Sequence, residues 1–154
     1  MNKYVISTDT AADMPADWLK EHNVDLHSLY YRFGDEVYGD DHVLDEHTFF
    51  DRMRAGEMPT TMGTNPERSK EIFTARVKDG YDVLHLAFTP SLSTSYQSAC
   101  IAANEVMEEN PGSRIIVIDT HSASLGQGLL VYLAVNLLEQ GATIDEVAEV
   151  VEQR

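Results

Sequence analysis

Thr89, Ser91, Ser93, Thr94 and Ser95 crowd five hydroxyls into one short stretch, directly after the apolar run VLHLAF at residues 83–88. That is where a buried strand should hand over to a helix. Two further groups have the same placement: Thr8 and Thr10 after YVIS (residues 4–7), and Thr120, Ser122 and Ser124 after RIIVID (residues 114–119). Thr60, Thr61 and Thr64 stand just before another helix start. In an open α/β sheet the ligand crevice lies outside the carboxyl ends of the strands. A loop there that opens a helix carries unpaired N–H groups and the positive end of the helix dipole. Hydroxyls add donors that can rotate toward a negative oxygen. The chemistry this pattern predicts is an anion site built without Lys or Arg. Such a site suits a carboxylate better than a triphosphate. Ordinary N-capping accounts for some of these hydroxyls, but not for their density over residues 89–95. The residues expected at the head group are Thr61, Ser93, Thr94 and Ser95. Thr8, Asp9, Thr10, Thr64, Thr120 and Ser122 form the expected rim.

Other constellations point to no catalytic residue, cofactor or metal. Ser93, His121 and Asp9 are the members from which a nucleophile, base and orienter would be drawn. No G-x-S-x-G turn surrounds any serine, so a small serine hydrolase acting on acyl esters is the alternative reading. Gly126-Gln127-Gly128 is half of a dinucleotide fingerprint, lacks the full G-x-G-x-x-G, and is better explained by close packing. Asp40, Asp41, His42, Asp45, Glu46 and His47 match no calcium-loop or zinc spacing. His85, inside an apolar strand, reads as a satisfied core histidine.

The elements that must position these groups alternate. Residues 4–7, 24–33, 36–38, 81–88 and 114–119 read as extended, with Gly34 and Asp35 offering a hairpin turn. Asp13 is the expected cap of a helix from near Pro15 to about His22, and Asp45 of one carrying Phe49, Phe50 and Met53. Asn65-Pro66 starts another helix. Further helices are predicted over about 94–109 and 125–140, and a Thr143/Glu146 capping box opens the last. Residues 58–66 read as a loop. The fold class is therefore α/β: a mainly parallel sheet with helices on both faces, plus a small β-hairpin excursion. Residues 1–154 form a single domain on this reading.

Composition narrows the partners. The 26 acidic against 11 basic residues give −15, a field that repels nucleic acid and anionic lipid surfaces. The single cysteine, Cys100, allows no disulfide within one chain and fits a reducing cytoplasm. The start, MNKYVISTDT, has no signal-peptide apolar region, and no run is long enough for stable membrane insertion. The expected location is cytoplasmic.

Four ordered segments carry a resemblance: STDTAADMP (7–15), PTTMGTNP (59–66), LSTSYQSA (92–99) and VIDTHSASLGQGLLV (117–131). With FGDEVY (33–38) and GYDVLHL (80–86), they resemble the signature regions of the DegV family of bacterial fatty-acid-binding proteins. The resemblance implies a non-enzymatic protein that holds a long-chain fatty acid, its carboxylate bonded to hydroxyls, with Thr61 and Ser93 as donors by motif. It also implies, for some members, service as the acyl-carrying subunit of a fatty acid kinase, whose separate ATP-binding subunit phosphorylates the carboxylate. The family has Ser-Gly-Thr where this chain has Ser93-Thr94-Ser95, and Thr-Ser-Gln-Pro where it has Thr61-Met62-Gly63-Thr64. DegV proteins are similar to about twice this length, with a second α/β domain closing over the acyl chain. Residues 1–154 then correspond to the N-terminal domain, and the second lipid-enclosing domain is absent from them.

Overall fold

The fold was obtained as a computed structural model, which describes residues 3–40, 42–89 and 94–153. Its main layer is a parallel sheet made of β1 (Lys3–Asp9), β2 (Asp25–His27), β6 (Tyr81–Ala87) and β7 (Ile115–Asp119), in the order β2-β1-β6-β7. β1 and β6 are in register from Lys3↔Tyr81 to Thr8↔Leu86. Because successive strand residues point to opposite faces, neighbours divide between two cores. Val5, Val83 and Ile115 pack with Phe73, Ala102, Ala103 and Val106 on one side. Ile6, Leu84, Leu86 and Ile118 pack with Val131, Ala134, Ile144 and Val147 on the other. α3 (Pro66–Lys78) and α4 (Ser95–Glu109) supply the first side. α1 (Ala16–Glu21), α5 (Ser124–Glu139) and α6 (Ile144–Glu152) supply the second. Strands covered on both faces become nearly continuous apolar runs, which is why β6 was plain in the sequence. The expected sheet with helices on both faces is the one observed.

Two histidines sit inside this core. His85 is buried and its Nδ1 lies 2.8 Å from Ser7 Oγ. His27 is equally buried, with Nδ1 2.7 Å from Ser69 Oγ. Their ring centroids are 4.4 Å apart, and Phe73 contacts both rings. Burial holds both neutral: it pushes His27 down to about 3, helped by the Arg68 charge, and His85 well below its usual value. At the sheet edge, Arg76 reaches Asp25 of β2 through Nε and a terminal nitrogen, at 2.7 and 2.8 Å. That fork ties α3 to the last strand.

A smaller antiparallel sheet, ordered β4-β3-β5, joins β3 (Leu29–Phe33), β4 (Glu36–Tyr38) and β5 (Thr60–Thr64). The hairpin between β3 and β4 turns at Gly34 with φ 60°, as its position predicted. α2 (Glu46–Arg54) lies beside this sheet. Phe33 meets Phe49 at 5.5 Å, and the Arg52 guanidinium sits 4.3 Å over the Phe33 ring.

Two expectations need correction. Residues 58–66 are not simply a loop: β5 pairs antiparallel with β3, Tyr30 opposite Met62. The open edge of β3 supplies partners for a segment whose Thr-rich sequence suits a strand. Asp13 does not cap α1. It adopts a left-handed φ of 53° and closes a 3-10 turn over Thr10–Ala12, its N–H donating to Thr10 O. α1 starts behind Pro15 with no side-chain cap. The caps at Asp45, Asn65 and Thr143 form as expected. Among the described residues no helix is long and apolar enough to cross a membrane.

Candidate functional site

The carboxyl ends of β1, β6 and β7 are knitted together before any ligand is considered. Asp9 is buried and accepts three hydrogen bonds: from Phe88 N–H at 2.8 Å, Ala11 N–H at 3.1 Å and Gln127 Nε2 at 2.9 Å. Burial raises its carboxyl above the ordinary range, and these donors act in the opposite direction. Gln127 also donates to Thr8 Oγ1 at 3.0 Å. Thr8 Oγ1 in turn donates to Leu86 O at 2.8 Å. On the other side of β6, Thr120 Oγ1 donates to Ala87 O at 2.7 Å, and Thr89 N–H donates to Ser122 O at 3.1 Å. The polar groups here therefore fix where the chain leaves β6, the start of the hydroxyl-rich stretch.

The expected site residues divide accordingly. Thr8 and Thr120, expected at the rim, stand at the carboxyl ends of β1 and β7, where their protons serve backbone carbonyls and hold the strand ends. Asp9 is likewise committed. Thr64 is buried; its N–H donates to Ser95 Oγ at 3.2 Å, while its own Oγ1 has no partner among the described residues. Ser95 is buried at the start of α4 and links that helix to β5. Ser122 is half-buried and contributes its carbonyl to the Thr89 contact. Thr10 Oγ1 accepts the Leu29 N–H at 2.9 Å. Thr94 is exposed and stands at the N-cap of α4 without a side-chain capping bond. Ser93 lies outside the described residues, and Thr61 is described through its backbone alone, opposite Tyr31.

Thr10 and Thr94 border a groove of about 800 Å³ between the sheet edge and the small antiparallel sheet. Leu26, Leu29, Tyr30, Val43, Met62 and Phe88 give it an apolar lining. This size falls in the range of about 300–1,000 Å³ typical of small-molecule sites, which are mostly apolar with a few placed polar groups. The arrangement is amphipathic. Hydroxyls and the amino end of a 15-residue helix stand at one border, with hydrocarbon and aromatic walls beyond.

Sequence reasoning missed the apolar wall and Gln127. The wall draws on residues scattered from 26 to 88, so no local pattern announces it. Gln127 had a signal: a lone amide between two glycines, in a stretch with no Asp, Glu, Lys, Arg or His from Ser122 to Leu138. His121 is exposed and pairs with Asp119, at 3.3 Å, rather than with Asp9. A base and orienter from His121 and Asp9 are therefore not brought together. Among the described residues no cluster of three or more His, Cys, Asp or Glu could hold a metal.

Comparison with known proteins agrees in every direction. A family model described as "uncharacterised protein, DegV family" matches residues 3–154. A DegV domain-containing protein of Clostridium perfringens is 39% identical over 155 residues, covering 99% of this chain and 53% of the relative. Among solved structures, a stearic-acid-binding protein from Eubacterium ventriosum superposes with a TM-score of 0.90 at 27% identity, covering 97% of this chain and 52% of that one. A DegV protein from Thermus thermophilus, described for its fatty acid binding, gives 0.86 at 32% identity, with 99% and 53% coverage. The fatty acid kinase B3 protein of Streptococcus pneumoniae, loaded with linoleic acid, gives 0.79 at 28%, with 98% and 53% coverage. The chain spans about half the length of the curated relatives it matches. With its full fold and nearly its whole sequence matched, this chain belongs to the DegV family.

Proposed function

We propose that this chain forms the head-group border and one wall of a fatty-acid site, within a carrier that performs no chemistry on its ligand. The observation that carries the reading is the amphipathic groove: Thr10 behind β1 and Thr94 at the start of α4 border an apolar-lined space of about 800 Å³. The carboxylate sits at the amino end of α4, where the backbone N–H groups of the first turn and the helix dipole favour an anion. Thr94 donates to it, together with Thr61 and Ser93 of the family-like segments; Ser95 holds β5, the strand of Thr61, against the start of α4. The acyl tail runs over Phe88 and Leu26 toward Tyr30 and Met62. Solved relatives described with stearic or linoleic acid support the ligand class. The likeness to a fatty acid kinase B protein supports a further step, in which the bound carboxylate is presented to a separate kinase subunit.

The test is titration of carboxyl-¹³C palmitate into the wild type, Ser93→Ala and Thr94→Val, followed by NMR, alongside assay of an acyl ester. A hydrogen bond to a charged group contributes about 1.5–3 kcal/mol, so each variant should bind about tenfold or more weakly, with no ester turnover in any sample. Ester turnover in the wild type that disappears in Ser93→Ala would replace the carrier with a hydrolase.

A further inference from the structure

Tyr30 and Met62 face each other across β3 and β5, and both line two separate spaces. One is the groove of about 800 Å³; the other is a crevice of about 380 Å³ whose remaining walls include Val37, Asn65 and Pro66. The pair is thus a ridge with an apolar space on either side. Its two members are held differently. The Tyr30 hydroxyl donates to the Asp40 carboxylate, and Asp40 stands 3.7 Å from Arg68 Nε. The Tyr30 ring lies against Gly39 so closely that a Cβ there would come within 2.3 Å of it. Only glycine admits the ring at that distance. Burial and the Asp40 carboxylate push the phenol up to about 12, so it stays protonated and remains a donor. Met62, by contrast, is 43% exposed, unbranched, and able to swing about three torsions.

We infer that the Tyr30–Met62 ridge is the specificity-determining element for acyl chain length: it stops the tail inside the groove, and the crevice behind it is the extension that a longer tail enters when the ridge is cut back. The inference rests on the proposed fatty-acid reading and deepens it. Burial of one methylene is worth about fourfold in affinity when enclosure is complete. Affinity should therefore climb with chain length until the tail meets the ridge and then level off. In Tyr30→Ala the tether to Asp40 and the ring are both lost. In Met62→Ala the exposed half of the ridge is removed with little risk to folding.

The experiment is equilibrium displacement of a fluorescent fatty acid by saturated acids from 12 to 20 carbons, below their aggregation limits, on wild type, Tyr30→Ala and Met62→Ala. The expected result is a plateau for the wild type that moves to longer acids in both variants, with the preference for 20 over 16 carbons rising about tenfold, because the open crevice captures under half of the free energy of four fully enclosed methylenes. If Tyr30→Ala does not fold, Met62→Ala decides the matter alone. Variants that bind with the wild-type plateau overturn the ridge while leaving the carrier reading intact. Failure of all three proteins to bind any acid overturns both.

Discussion

His27 and His85 lie ring to ring in the core, His27 against the Ser69 hydroxyl and His85 against that of Ser7. Each is neutral when folded and would accept a proton at its ordinary pKa of about 6.5 when unfolded. The unfolded chain thus binds more protons below that value, and stability falls as pH falls from about 6.5 toward the folded value of about 3 at His27. Between pH 6.5 and 5 this loss lies above the carboxylate range. Urea unfolding across that window should show His27→Gln losing less stability than wild type, by about 1.4 kcal/mol per pH unit for the proton no longer taken up. An unchanged slope would mean that His27 is protonated in the native core. The same scale shows how far residues could be read from sequence. His85 was legible as a core histidine because apolar neighbours flank it in β6. The commitment of Thr8 and Thr120 to backbone carbonyls was not, because a hydroxyl's partner depends on strands that meet only in the folded sheet.

At the scale of elements, α5 separates two glycines that look alike in sequence. A Cβ at Gly128 would come 2.8 Å from the Ala12 carbonyl oxygen and 3.0 Å from Met14 Sδ. The first is backbone and cannot swing aside. At Gly126 the nearest atoms are those of Ser122 at 3.5 Å, an ordinary contact. Gly128→Ala should therefore destabilise the fold by about 1–3 kcal/mol through overpacking. Gly126→Ala should be neutral or up to about 1 kcal/mol more stable through helix propensity. Denaturant titration of the two variants in parallel checks both, and equal effects would remove the packing explanation. Elements with their own signal were legible: apolar runs for β1, β6 and β7, and caps for α2, α3 and α6. β5 was not, because a short stretch of Thr, Met and Gly becomes a strand only through its pairing with β3. α1 does begin behind Pro15 as read, but its cap was misassigned for a related reason. Asp13 has the composition of a cap, but a left-handed backbone at that residue turns the chain first.

For the whole molecule, the open groove sets how firmly a lipid can be held. Complete burial of a 16-carbon tail is worth about 11–12 kcal/mol before ordering costs, and one wall captures only a fraction of that. The 154-residue chain should therefore release fatty acid during gel filtration and give mainly the unliganded mass in native mass spectrometry. A stoichiometric acid carried through both steps would show that these residues enclose the tail by themselves. The fold class was legible at this scale because alternating strands and helices leave few topologies. The groove was not, since its walls belong to two different sheets.

The register of β1 against β6 has a consequence in time. Ser7 and His85, bonded in the centre of the sheet, are 78 residues apart in sequence. At about 5–20 residues per second, a ribosome needs several seconds after finishing β1 to deliver the strand that completes it. In that interval β1 can find only the short β2. The centre of the parallel sheet is thus a late event in synthesis, and β1 spends the wait as an unpaired apolar edge.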